Sequence, residues 1–294
     1  MMYKCLSWLF SKPQEPEIEP AQGPYVPTVD DDKEKFAFLT GINKYAPYLN
    51  ADLQGCVNDV ETYRYILINY FDFHPDNIRV LLDYRAVEDA IIEHMLWLVS
   101  HENSILVNTF SGHGSEIRDR NGDELKGNMD QFLCGHDLDF DNPKLLDDRI
   151  GEIFDKTPES SKLTFFVDAC HSESMSRSFL NPLIKRKYPT KIRYLRPPRD
   201  IQFRSESTKL LTQRIGARST PLNHTIVAGC DYNSTSADAY INGKYQGAFT
   251  AYIAKYLRPG NIYEQKFPIF VNELKRAGFD QNPHVNGVKG SIIT

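Results

Sequence analysis

Two apolar runs along the chain break off abruptly into small and reactive residues. In 162–172, KLTFFVDACHS, the side chains of Leu163, Phe165, Val167 and Ala169 fall on one side of an extended backbone, and Thr164, Phe166, Asp168 and Cys170 on the other. Both sides are mostly apolar, which predicts a strand buried between helix layers rather than one with a wet face. The run 104–115, SILVNTFSGHGS, predicts a second such strand, ending at Ser111-Gly112-His113-Gly114. Lys35–Ile42, Asn77–Asp83 and His224–Cys230 read as further strands. Between them, helical spacing places Cys56, Val57, Val60, Tyr63 and Leu67 on a helix beginning near Asp52 or Gly55. A second helix, Val87–Val99, turns Ile91, Ile92, Met95, Leu96 and Val99 inward, and Phe249–Leu257 and Phe270–Ala277 read as two more. Strand and helix alternate, so the expected fold class is α/β: a mainly parallel β-sheet sandwiched between helices.

Composition narrows the class. With 294 residues, 41% hydrophobic and 25% charged, the chain can bury a sizeable core. A net charge of −5 gives no reason to expect a nucleic-acid partner. The five cysteines are odd in number, scattered and without C-x-x-C spacing, which argues against a zinc cluster or a disulfide framework. They suit a reducing compartment, so a cytoplasmic location is expected. No apolar run approaches the ~20 residues of a membrane span. Met1–Phe10 lacks a signal-peptide core; Leu6, Trp8, Leu9 and Phe10 leave a weak interfacial anchor open, a frayed terminus being the simpler reading. Ser11–Asp32, with five prolines among glutamates, reads as a solvated tether. Residues 1–34 are therefore expected to be a proline-rich flexible extension and 35–294 the folded domain. Nothing in the sequence selects an oligomer, and a monomer is the expectation.

The chemistry gathers where the two apolar runs stop. In open α/β sheets ligands bind at the carboxyl ends of strands, and here one strand ends in a thiol and the other in an imidazole. A single Cys is often a small apolar filler and a single His a structural residue. Two buried strands ending in SGHGS and DACHS are a narrower coincidence. A thiol of pKa ~8.5 needs a neighbouring base to become a nucleophile, and imidazole titrates in the required range.

SGHGS followed by DACHS resembles the caspase-like cysteine peptidases, and most closely the metacaspases of type I arrangement. Leu53-Gln54-Gly55-Cys56-Val57-Asn58-Asp59, Ser236-Ala237-Asp238-Ala239 and Gly247-Ala248-Phe249-Thr250 are also similar to that family, from about Lys35 onward. His113 precedes Cys170 by 57 positions, near the ~50-residue separation of caspases. The resemblance implies a caspase-like fold with a large-subunit-like part (35–175), a basic loop (176–221) and a small-subunit-like part (222–294). It also implies a cysteine endopeptidase working through a thioester. Cys170 would be the nucleophile, His113 the base, and the backbone N–H groups of Gly114 and Cys170 the oxyanion donors. The pocket for the residue before the scissile bond (P1) would be lined by Cys56, Asp59, Ser111 and Asp168. Paired carboxylates there select a cation, so the expected substrates are proteins or peptides cut after Arg or Lys. No cofactor is required for this chemistry. Calcium as an activator is implied at Asp130, Asp147 and Asp148, within the acidic, loop-rich stretch Arg118–Asp148.

The chain departs from the family at Arg177, where a further acidic residue is expected, and at Glu173, where Gly is usual. Ser174–Pro221 is a strongly basic insertion, including Lys185, Lys187, Lys191, Arg193 and Arg196, and is expected to be irregular and exposed. For a peptidase cutting after Arg or Lys it is a candidate site of autoprocessing. Two other readings stay open: a catalytically weak caspase-like adaptor acting through its tail and basic loop, and a legumain-like peptidase cutting after Asn.

Overall fold

The computed structural model describes residues 32–118, 129–170, 187–201, 224–231, 234–261, 263–287 and 293. In chain order its elements are β1 (Glu34–Gly41), α1 (Cys56–Phe71), β2 (Ile78–Leu82), α2 (Glu88–Leu98), β3 (Ser104–Ser111), β4 (Gly114–Arg118), β5 (Met129–Leu133), α3 (Asp147–Phe154), β6 (Lys162–Asp168), β7 (Lys191–Ile192), β8 (His224–Ala228), β9 (Ala237–Ile241), β10 (Lys244–Gly247), α4 (Ala248–Ile253), α5 (Tyr263–Arg276) and β11 (His284–Gly287). Six of the strands form one sheet in the order β11-β8-β6-β3-β1-β2. All its pairings are parallel except β11 with β8.

The two-sided apolar pattern of the central strands has the expected consequence. Every residue of β3 is buried, and β6 sends Leu163, Phe165 and Val167 into one core and Phe166 into the other. The first core lies under α2 and α3, with Phe38, Ile91, Met95, Leu106 and Phe154. The second lies under α1, α4 and α5, with Val60, Tyr63, Leu67, Phe249, Phe270 and Leu274. β1 pairs with β2 on one side and β3 on the other, so the connection reverses direction at β1 and opens a crevice at the carboxyl ends.

Some expectations need correction. Leu96 faces outward, 38% exposed, and Leu98 takes its place in the core. The last helix begins at Tyr263, well before Phe270, and continues through Pro268. The stretch after Arg118 holds strand β5 and the start of α3 besides loop. Within the basic insertion, Arg193 is completely buried and Lys191–Ile192 form a strand, against the expected exposed, irregular loop. The amino-terminal extension up to residue 31, Glu173, Arg177 and most of the basic insertion lie outside the described residues.

Candidate active site

The two reactive side chains owe their proximity to strand register. β3 and β6 are neighbours, and Ser111 is paired with Asp168 at their carboxyl ends. His113 and Cys170 each follow two residues later, so both chains leave the sheet at the same level on the same edge. Gly112 donates its N–H to the Asp168 carbonyl at 3.4 Å. A side chain on Gly112 would press on the Tyr45 hydroxyl and the Phe110 ring, so this turn requires glycine.

His113 is held from two sides. Its backbone N–H donates to the Tyr45 hydroxyl at 2.7 Å, and Nε2 lies 2.8 Å from the Ala51 carbonyl. A carbonyl only accepts, so Nε2 carries the hydrogen. Burial pushes the imidazole pKa down to about 4, so the ring is neutral at pH 7 and the lone pair is on Nδ1. Nδ1 is buried without a hydrogen-bond partner; the expected contact to Cys170 is not formed in this state. The third member that the sequence did not supply as a side chain is thus a main-chain carbonyl, Ala51.

Cys170 is fully buried. Its Sγ lies 3.2 Å from Cys230 Sγ, bonds to the Ser234 carbonyl at 3.2 Å and accepts the Ser236 N–H at 3.1 Å. The β8–β9 connection therefore wraps the thiol.

Beside these residues lies a pocket lined by three carboxylates. Asp59 comes from the first turn of α1, Asp168 from the end of β6 and Asp238 from β9. All three are buried, and one guanidinium, that of Arg193, lies among them. Its Nη2 is 2.7 Å from Asp59 Oδ2 and 3.2 Å from Asp238 Oδ1, and Nη1 is 3.3 Å from Asp168 Oδ2. Backbone donors help to carry the charge. Gly247 N–H bonds to Asp59, Gln54 N–H to Asp238, and the N–H and hydroxyl of Thr250 to Asp168. Burial pushes the Asp59 carboxyl up to about 7, with Arg193 pulling it down and Asp168 adding to the rise, as expected where three carboxylates share one cation. Cys56, at the start of α1, is buried, and the Ser111 hydroxyl is buried without a partner.

The main chain of Arg193 is as specifically placed as its side chain. Its carbonyl oxygen accepts from the N–H of Gly114 at 2.9 Å and of Cys170 at 3.1 Å. Its own N–H donates to the Ser236 carbonyl at 2.9 Å. Lys191 and Ile192 pair antiparallel with Asp238 and Ala237, and Leu195 N–H bonds to the Gly114 carbonyl. The segment 191–195 thus crosses the cleft as an added strand.

Asp238, Thr250, Gly247, Tyr45 and Ala51 were not assigned from sequence. The first three fall in the SADA and GAFT stretches that carry the family resemblance, which was the available signal. Asp130, Asp147 and Asp148 are placed on β5 and at the start of α3. Among the described residues no group of three or more His, Cys, Asp or Glu side chains is arranged to hold a metal ion. No step is assigned to calcium.

A mainly parallel sheet between helix layers, with a buried thiol and imidazole on adjacent strand ends, is the arrangement of the caspase-like fold. Caspase-1 from Spodoptera frugiperda shares the fold: TM-score 0.52 at 12% identity, covering 87% of this chain and 86% of that one. Residues 35–178 match the family described as "Metacaspase, peptidase C14 domain". Metacaspase-1 of Arabidopsis thaliana is 40% identical over 131 residues, 41% of this chain and 35% of the relative. Metacaspase-1 of Meyerozyma guilliermondii is 26% identical over 291 residues, 86% of this chain and 69% of the relative. Over residues 35–178 the chain is therefore similar to the metacaspases. The matched stretch spans about a third of the length of the Arabidopsis relative and of two yeast and fungal metacaspases like it.

Proposed function

We propose that this chain is a cysteine endopeptidase that hydrolyses peptide bonds after Arg or Lys. The observation that carries the reading is Arg193: its side chain fills the three-carboxylate pocket while its carbonyl accepts from Gly114 and Cys170. A substrate's P1 residue would need the same two placements. In this reading His113 Nδ1 takes the Cys170 proton, and the sulfur attacks the carbonyl carbon. The developing oxyanion is held by the Gly114 and Cys170 N–H groups. His113 then protonates the leaving amine, and water attacks the thioester to release the acid and restore the thiol. The Ala51 carbonyl keeps the ring in the tautomer this requires. No cofactor takes part in these steps.

The same placement makes Arg193–Tyr194 the candidate autoprocessing bond, and the segment around it a plug that incoming substrate must displace. The adaptor reading has no comparable support, since a docking role needs neither the oxyanion donors nor the pocket. The legumain-like reading is disfavoured by three carboxylates, which would be left uncompensated by a neutral Asn side chain.

The test is hydrolysis of a fluorogenic peptide with Arg at P1 by the wild type, Cys170→Ala and His113→Ala. Both variants should lose at least about a thousandfold in rate, because residues that act as one unit fail together. Substantial turnover by Cys170→Ala would overturn the nucleophile assignment.

A further inference from the structure

We infer that the Ala51–Asp52 turn is a subsite for a basic side chain at P3, two residues before the P1 Arg, and that a cation bound there engages the turn that orients His113. This rests on the peptidase reading above and goes beyond it by naming a second position of the substrate.

The observation is again the chain's own segment. As an added strand beside β9, it turns alternate side chains to the same side, so Lys191 accompanies Arg193 while Ile192 points away, 41% exposed. Lys191 Nζ donates to the Asp52 carbonyl at 2.5 Å. The Asp52 carboxylate faces the same region. It accepts from Lys44 Nζ at 2.7 Å and from Tyr45 N–H at 3.2 Å; the Lys44 hydrogen bond is the main cause of its lowered pKa, and the Lys191 charge adds to it. A carbonyl and a carboxylate both favour a donor cation at this place and disfavour an acid.

The turn also serves His113. The carbonyl of Ala51, one residue earlier, fixes Nε2, and Tyr45, held by Asp52, places its hydroxyl on the His113 N–H. Successive carbonyls of one short turn thus face the imidazole and the P3 ammonium. Occupancy of the second restrains the first, so a P3 cation should raise kcat as well as lower KM.

The test uses peptides that keep Ile at P2, Arg at P1 and Tyr-Leu after the bond, with Lys, Ala or Glu at P3. Hydrolysis is followed on Arg193→Ala, whose own plug has lost its P1 anchor, and on the wild type. Lys should exceed Ala by about fivefold in kcat/KM, a size typical of partly exposed charge contacts, and Glu by more, with part of the gain in kcat. Asp52→Asn should shrink the difference between Lys and Glu. Equal kcat/KM for all three overturns the subsite; a Lys advantage confined to KM overturns its link to His113. Binding is read separately by fluorescence anisotropy of the same labelled peptides on the Cys170→Ala, Arg193→Ala double variant. Tighter binding of the Lys peptide without any hydrolysis by the wild type would sustain the subsite and sink the peptidase reading. Equal affinities would sink the subsite.

Discussion

The N–H of Cys170 donates to the carbonyl oxygen of Arg193 at 3.1 Å. The residues are 23 apart in sequence, and between them lie the first residues of a basic insertion that composition alone would leave in solvent. Their contact makes residues 191–195 of that insertion part of the cleft. A charged side chain with no exposed surface is costly unless it is well paired; here Asp59, Asp168 and Asp238 supply the pairing. The strands, caps and glycines around the cleft hold these groups in place before any foreign substrate arrives.

Arg193→Ala removes the plug's anchor. The intact variant should hydrolyse an Arg peptide severalfold faster at early times than the intact wild type, and should no longer be cut after residue 193. The pocket then holds three carboxylates with no cation, and breaking a buried pair costs ~3–5 kcal/mol. Its melting temperature should fall accordingly and recover on adding a small alkylguanidinium, which would also compete with substrate. Initial-rate assays and thermal melts, with and without that compound, check both effects.

Gly247→Ala should close the pocket. A methyl group there would overlap the Asp168 carboxylate and the Arg193 guanidinium, and backbone on either side is fixed by the Gly247 N–H bond to Asp59. Turnover of Arg and Lys peptides should drop at least tenfold. Alkylation of Cys170 by iodoacetamide should be retained or quicker, since the plug no longer seats. Parallel loss of alkylation would point to a damaged fold instead of a blocked pocket.

Glu88 sets a pH dependence of stability away from the cleft. It begins α2, is 2% exposed, and its Oε1 has no hydrogen-bond partner. Burial pushes its carboxyl up from the ordinary 4.5 to about 7. Between those values the folded protein holds a proton that the unfolded chain has released. This contribution to stability is therefore complete below about pH 4.5 and lost as pH rises through 7. Glu88→Gln should remove that slope. Relative to the wild type, its melting temperature should rise by about 5 °C between pH 4.5 and pH 8. A constant difference across that range would contradict the assignment.

Much of this was legible in the sequence, for physical reasons that differ from place to place. The central strands were legible because both faces of β3 and β6 are apolar, and the sheet edge followed from both runs ending in reactive residues. Asp59 and Asp168 were legible through the stretches that carry the family resemblance. Arg193 was not, because its burial depends on partners 134, 25 and 45 positions away, and local composition around it is that of a solvated loop. Ala51 was invisible for another reason: it acts through a carbonyl that every residue possesses. Leu96 was misplaced because α2 presents a narrower apolar stripe than its composition suggests.

The central claim is that the cleft selects a cation before the scissile bond. Losing the desolvated charge pair costs ~3–5 kcal/mol, and each 1.36 kcal/mol is about tenfold in rate. Even if solvent halves the effect, Arg or Lys should exceed Asp, Asn or Ala by about a hundredfold or more. The measurement is kcat/KM of the wild type for peptides identical except at P1. A preference of at least that size for Arg and Lys is the predicted result; comparable cleavage of Arg and Asp peptides would contradict the account.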